Sequence, residues 1–252
     1  MKCIVCIPAR YYSERLPGKA LLDIAGQPMI YWVYNNVKKC TWVHEVLVLT
    51  DDERIWKACR KFDGNVLMTG RHHRNGTSRM GEVLDRLDGD LIINVQGDEP
   101  LVSEGEISAL IHAFHTPETQ IATLARRITS PVTLFDFNKV KVVFDKNGRA
   151  LYFSRHPIPA WREKPYREWL RGGHYYLHLG LYAFRRNTLK QLLMLDEGIL
   201  ERSEELEQLR WLEEGYSMQV VEVENTESFG VDTLEDLEKM REVFKVRGIG
   251  KH

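Results

Sequence analysis

Four short apolar runs separated by three segments of helical periodicity, all in the first half of the chain, limit its fold more than any other feature. The first run is Met1 to Pro8. After Pro28, which suits the first turn of a helix, Met29, Ile30, Val33, Tyr34 and Val37 recur at helical spacing and place a helix up to about Lys39. Glu45 to Thr50 reads as a buried parallel strand, and Asp51-Asp52 caps a helix through Phe62. Asn65 to Thr69 gives a third strand, Thr77 to Leu87 a helix and Asp90 to Val95 a fourth strand. Such alternation predicts an α/β fold: a mostly parallel twisted sheet with helices on both faces, its ligand sites at the carboxyl ends of the strands.

Two stretches fall at those ends. Ile7-Pro8-Ala9-Arg10-Tyr11-Tyr12-Ser13-Glu14-Arg15-Leu16-Pro17-Gly18-Lys19 hangs three cations on a loop that its prolines and glycine keep out of regular structure. Alone it reads either as a solvated basic turn or as a cradle for a polyphosphate. The chain has neither GxGxxG after its first strand nor a Walker-type GxxxxGK[ST], so phosphates would be held by side chains. The second stretch is Gln96-Gly97-Asp98-Glu99-Pro100. Asp98 there can hold a hard cation such as Mg²⁺ or cap a turn. Asp232, before Thr233, is the best second carboxylate, although its position also suits a helix cap.

The second half is less regular. Glu106 to Phe114 looks helical, and Ile121 to Ile128 strand-like. Lys139 to Phe144 and Ala150 to Ser154 flank Asp145-Lys146-Asn147-Gly148, a hairpin signal. Pro157 to Gly173, with three prolines and two tryptophans, reads as a long mobile segment near the site or at a subunit contact. Tyr175 to Phe184 is an aromatic strand in which His178, Gly180 and Tyr182 share a face; a histidine there is a hydrogen-bonded core residue or a ligand. Leu206, Leu209 and Leu212 form a helical stripe, Met218 to Val223 a strand, and Gly230 to Thr233 opens the last helix, with Thr233 and Asp236 as a capping box.

A single domain of 252 residues with a net charge of −1 argues against a nucleic-acid-coating surface, so any basic site must be local. The apolar amino terminus is too short for a signal-peptide core or a membrane span, which points to the cytoplasm. Cys3 and Cys6 lie three apart on a strand and point to opposite faces, so they read as buried packing residues. Arg71-His72-His73-Arg74 has no third spaced ligand and reads as a solvated loop rather than a zinc site.

Together, Ile7-Pro8-Ala9-Arg10 and Arg15-Leu16-Pro17-Gly18-Lys19 resemble the nucleotide-binding signature of CMP-sugar synthetases. The likeness continues in order through Gly76-Thr77-x-Arg79, Asn94 to Pro100, Lys141-Val142-Val143, Ala150 to Arg155, His178 to Tyr182, Leu206 to Arg210 and Val231-Asp232-Thr233. This set is similar to the 3-deoxy-manno-octulosonate (Kdo) cytidylyltransferase, or CMP-Kdo synthetase, family along nearly the whole chain.

The resemblance implies a Rossmann-like nucleotidyltransferase fold with a small dimerisation excursion, residues from about 120 to 190 serving the sugar site and dimer contact. It implies transfer of CMP from CTP to the anomeric hydroxyl of Kdo, with pyrophosphate released, for lipopolysaccharide synthesis. Arg10, Arg15 and Lys19 would contact the triphosphate, while Pro8, Ala9, Gly76, Arg79 and Gln96 would line the cytidine pocket. Asp98 and Asp232 would hold Mg²⁺, and Lys19, Arg10, Asp98 and Asp232 would be catalytic. Arg155, His178, Tyr182, Glu207 and Gln208 would bind the acidic ulosonic sugar in a homodimeric enzyme that uses neither nucleic acid nor membrane insertion. Ser78 stands where the family has an acid and Leu177 where it has a cation. These two departures keep open another acidic sugar, such as 8-amino-Kdo or a nonulosonate; a nucleotide-binding module without turnover is the further alternative.

Overall fold

The computed structural model describes residues 1–13, 15–172, 174–224 and 228–249; Glu14 of the basic loop and Gly173, which ends the proline-rich segment, lie outside them. The chain divides into two compact units, residues 1–108 with 227–252 and residues 109–226.

The first unit opens with β1 (Cys3–Ala9), a small hairpin of β2 (Asp23–Ile24) and β3 (Gln27–Pro28), and α1 (Met29–Lys38). There follow β4 (Glu45–Thr50), α2 (Glu53–Lys61), β5 (Val66–Met68), α3 (Gly76–Val83), β6 (Leu91–Asn94) and the start of α4 (Glu104–His112), within which the boundary between the units falls. β1 pairs in parallel with β4 on one side and β6 on the other, and β5 extends the sheet beyond β4. Cys3 to Ile7 are all buried, because helices cover both faces of a parallel strand and leave it no polar side. The cysteines are free, and burial pushes Cys3 and Cys6 up to about 12, so both stay protonated packing groups. Side-chain caps begin the helices where the sequence supplies them. Asp52 accepts from Arg54 N at 2.9 Å and Asn75 from Ser78 N at 2.8 Å, each such cap being worth about 1 kcal/mol.

Glycine lets the exits of these elements crowd together. A Cβ on Gly97 would lie 2.8 Å from the Pro8 carbonyl oxygen, and one on Gly76 would lie 3.0 Å from Pro8 Cγ and 3.1 Å from Asn94 Nδ2. The loop after β6 and the start of α3 therefore close on the end of β1.

In the second unit come β7 (Ile121–Arg127), α5 (Pro131–Phe135), β8 (Lys141–Phe144), β9 (Ala150–Ser154) and β10 (Tyr176–Arg185). After them are α6 (Arg186–Leu192), α7 (Ile199–Glu204), α8 (Gln208–Glu213) and β11 (Met218–Glu222). β10 runs antiparallel to β7 and β8, β8 and β9 form the expected hairpin, and β11 is parallel to β7. Gly148 turns that hairpin at φ 79°, donating to Asp145 O at 2.9 Å.

Besides the short elements β2, β3, α5, α6 and α7, which the sequence reading does not place, and Pro28, which is the extended N-cap of α1 and not part of its first turn, three local features differ from that reading. The simple alternation expected along β10 is interrupted, since the register jumps between Leu179 opposite Leu124 and Tyr182 opposite Thr123, the irregularity taking in Gly180 and Leu181. The expected stripe of Leu206, Leu209 and Leu212 does not lie on one helix: α7 ends at its cap Glu205, left-handed at φ 52°, α8 begins only at Gln208 so that Leu206 precedes it, and Trp211 rather than Leu212 is fully buried beside Leu209. Pro157 to Gly173, expected as a mobile segment, contains a 3₁₀ turn anchored by the buried Trp169. That indole donates to Lys164 O at 2.9 Å and stacks on Tyr175, so aromatic burial holds the turn.

The last helix, α9 (Leu234–Val246), belongs to the first unit. Thr233 and Asp236 form its capping box, and Leu237, Met240 and Phe244 bury against Leu16, Ile24, Met29 and Val231. Burying each such side chain contributes about 1.5–3 kcal/mol. Leu16 and Val231 thus anchor the two segments that carry Arg15, Lys19 and Asp232.

Candidate active site

The loop after β1 is held by its own packing. Gly18, left-handed at φ 69°, donates to Tyr11 O at 2.7 Å, and a Cβ there would press to 3.0 Å from the Tyr11 ring. The Arg54 guanidinium covers that ring at 3.2 Å. Lys19 is thereby aimed inward. Its Nζ forms a short ion pair with Asp98 Oδ2 and lies 3.2 Å from Asp232 Oδ1, which Arg15 Nη2 also approaches at 3.2 Å. Burial works against the Lys19 charge, but Asp98 and then Asp232 outweigh it and raise the pKa above the ordinary lysine value. Val231 N donates to Asp98 O at 2.9 Å, tying the two acid-bearing loops together.

Asp232 is not the helix cap. Thr233 fills that role, which frees the Asp232 carboxylate for the cations. Arg10 is exposed at the strand end and has no ion-pair partner among the described residues. Pro8 and Ala9 border Gly97, and Gln96 is half-buried. Arg79 is buried with its guanidinium committed to protein: Asp51 Oδ2 at 2.9 Å, Thr69 Oγ1 at 2.5 Å and Gly70 O at 3.2 Å.

The second unit gathers the other five expected residues around β9, β10 and the α7–α8 junction. Arg155, after β9, donates from Nε to Glu204 O at 2.7 Å, and has no carboxylate ion-pair partner among the described residues. Tyr182 packs edge-on against Trp211 of α8, and burial followed by Glu207 raises its pKa well above the ordinary phenol value. Gln208 is buried, and its Nε2 finds no hydrogen-bond partner among the described residues. Such an orphan donor costs about 1–3 kcal/mol unless something accepts from it.

His178 is half-buried, but Phe153 at 4.9 Å and Tyr182 at 5.3 Å enclose its ring, and burial pushes its pKa down to about 3. Thr123 Oγ1 donates to Leu181 O at 2.7 Å and lies 2.9 Å from His178 Nε2. With that hydroxyl proton committed, the network assigns Nε2–H as donor and Nδ1 as acceptor. Below about pH 6.5 the unfolded chain takes up a proton that the folded chain refuses until about pH 3, so stability falls with pH through that window. At about pH 5 the loss is roughly 2 kcal/mol. Urea midpoints followed from neutral pH downward are expected to drop less steeply in His178→Gln than in the parent.

The cytidylyltransferase family matches residues 4–229. The 3-deoxy-manno-octulosonate cytidylyltransferase of Parabacteroides distasonis is 46% identical over 245 residues, covering 95% of this chain and 96% of that protein. That of Geotalea uraniireducens is 47% identical over 258 residues, covering 97% and 100%. The chain belongs to the 3-deoxy-manno-octulosonate cytidylyltransferase family. A solved CMP:2-keto-3-deoxy-manno-octonic acid synthetase complexed with CTP superposes with a TM-score of 0.91 at 39% identity, covering 98% of this chain and all of that one. Membership in this family accounts for the Rossmann-like nucleotidyltransferase fold. No described helix is long and apolar enough to cross a membrane.

For a member of this family, two structural features lie beyond the sequence reading. Lys141 is fully buried, and its Nζ donates to the carbonyls of Asp136 at 2.9 Å, Lys139 at 2.5 Å and Arg155. It thus fixes the backbone that carries Arg155; the visible signal is a lysine inside the apolar run Val140 to Val143. The second concerns His72 and His73. Glu82 of α3 joins them, placing three ligand atoms within 4.8 Å of one another, close enough to hold a metal ion. Glu82 thus brings, from the next helix, a third donor atom that Arg71 to Arg74 alone do not offer.

Proposed function

We propose that the chain transfers CMP from CTP to the anomeric hydroxyl of Kdo and releases pyrophosphate, supplying activated Kdo for lipopolysaccharide synthesis. The observation that carries this reading is the convergence of Asp98 and Asp232 on one ammonium, Lys19, at the carboxyl ends of parallel strands. Two carboxylates gathered around a cation offer the hard oxygen donors that Mg²⁺ takes, so these residues fit the metal that the reaction class requires. Bound there, Mg²⁺ would supply charge neutralisation on phosphate oxygens and a lower pKa for the attacking hydroxyl.

The chain's own residues do the rest. Arg10, Arg15 and Lys19 bind the triphosphate, and Lys19 and Arg10 stabilise the departing pyrophosphate as the bond from the α-phosphorus to the bridging oxygen breaks. Pro8, Ala9, Gly76 and Gln96 line the cytidine, with Arg79 bracing the start of that pocket through Asp51 and Gly70. In the second unit Arg155 pairs with the sugar carboxylate. His178, neutral and with Nδ1 as acceptor, takes a sugar hydroxyl instead, and Tyr182, Glu207 and Gln208 complete the contacts. The orphan Gln208 donor supports this, since a bound sugar oxygen would satisfy it.

The whole chain acts as one nucleotidyltransferase in the cytoplasm and works as a homodimer. Residues from about 120 to 190 supply the subunit contact; exposed Val132, Phe135, Phe137, Leu151 and Tyr166 all fall there. One observation favours a second sugar: Leu177 is buried and apolar where the family has a cation, which allows 8-amino-Kdo or a nonulosonate.

The test is pyrophosphate release with Mg²⁺ across a panel of ulosonic acids, with CTP, UTP, ATP and GTP in turn. Fastest release with CTP and Kdo is expected. A preference for an amino sugar would transfer the assignment to the second reading, and no release with any acid would overturn both.

A further inference from the structure

We propose that His72, His73 and Glu82 bind a transition-metal dication, Zn²⁺ in the first instance, at a site separate from the carboxylates around Lys19. The ligand atoms of the three residues already lie within 4.8 Å of one another, His73 Nε2 standing 2.5 Å from Glu82 Oε2. The two imidazole rings are 4.1 Å apart, centre to centre. A tetrahedral Zn²⁺ with bonds of about 2.0–2.2 Å holds its ligand atoms about 3.3 Å apart, so side-chain adjustments of about an ångström complete the site. His72 is exposed and free to make them.

The floor of the cluster is built for close approach. Gly70 N–H donates to Glu82 Oε2 at 2.7 Å and orients the carboxylate, as outer hydrogen bonds do around metal ligands. A Cβ on Gly70 would fall 2.5 Å from His72 Cε1 and 2.6 Å from its Nδ1, so the ring rests directly on glycine backbone. Any larger residue at position 70 would push His72 away from its partners.

Donor chemistry selects the ion. Two imidazoles and one carboxylate suit Zn²⁺, Co²⁺ or Ni²⁺ with one position left for water, whereas Mg²⁺ prefers oxygen alone. Arg71 and Arg74 flank the histidines but are exposed, where water and salt screen their charge. Bound metal would join the loop of residues 70–73 to α3, the helix that starts at Gly76. Arg79 braces the same loop through Gly70 O at 3.2 Å. The ion is therefore a clamp on the segment leading into α3.

The test uses the full chain, stripped of metal and titrated with Zn²⁺ against a chromophoric chelator, and with Co²⁺ followed by visible absorption. One equivalent is expected, with the Co²⁺ bands of a low-symmetry site and a higher melting temperature on adding Zn²⁺. His72→Asn, at an exposed position, is expected to weaken Zn²⁺ binding about tenfold or more, the least that losing a group around such a metal costs, while the melting temperature without metal stays close to the parent's. Gly70→Ala is expected to do the same by displacing the His72 ring. Asp98→Asn and millimolar Mg²⁺ are expected to leave Zn²⁺ bound. Zn²⁺ affinity unchanged in His72→Asn, loss of the ion in Asp98→Asn, or no binding by the parent in the micromolar range would each overturn the proposal.

Discussion

Asp98→Asn is expected to lower turnover about a hundredfold or more while CTP still binds, the scale of losing one preorganised charge-stabilising group. The substitution keeps size and shape. Asp98 contributes its backbone carbonyl to Val231, and that bond survives. Leu16, Leu101 and Val231 in the core beneath are untouched, so the fold should hold. What disappears is one of the two negative charges that converge on Lys19. Asparagine offers a neutral oxygen, a far weaker donor to a hard dication than a carboxylate. Steady-state pyrophosphate release at saturating Mg²⁺ measures the loss, with calorimetric CTP binding and thermal melting as controls. Near-parental turnover would remove Asp98 from the metal set and leave it as a structural partner of Lys19.

Lys19→Ala is expected to lower turnover by a similar factor of about a hundred, for a different reason. Lys19 is largely sheltered, its side chain 17% exposed, and its charge is raised in pKa by the two aspartates rather than lost to burial. It therefore stays cationic throughout the working range of pH and cannot serve as a proton carrier. Its value lies in position: a fixed positive charge where the pyrophosphate leaves. The variant should lose much of its preference for CTP over CMP in binding. A second consequence separates this role from simple loss of structure. Without the ammonium, Asp98 and Asp232 repel each other, so Mn²⁺ in the absence of nucleotide should bind more tightly than in the parent. Paramagnetic relaxation of water protons reads that change. Parental affinity for both CTP and CMP would rule out the triphosphate role.

Much of the first unit was legible because its signals are local. Met29, Ile30, Val33, Tyr34 and Val37 lie within about two and a half turns of helix, and all five are buried on one side of α1. Asp52 and Thr233 announce helices through hydrogen bonds that span two or three residues. The second unit was harder. The break at Glu205 and the irregularity at Gly180 and Leu181 depend on how neighbouring strands and helices pack, which no short window of sequence contains. Trp169 turned an expected mobile segment into an anchored one because Tyr175 and the Lys164 carbonyl stand ready to receive it.

The main alternation of strands and helices in the first half, the placing of the basic loop and of Asp98 at strand ends, and the family motifs were determined by the sequence alone, since each follows from periodicity or from residues a few positions apart. Tertiary structure decided which charges meet. Lys19 stands 79 residues from Asp98 and 213 from Asp232, and they touch because β1 and β6 are adjacent, Gly97 permits their exits to crowd, and α9 buries Val231 beside Leu16. The same holds for Glu82, which faces His72 and His73 only once α3 has folded back along the loop before it. Contacts of that range are set by packing of whole elements, and packing is not written in any one stretch of the chain.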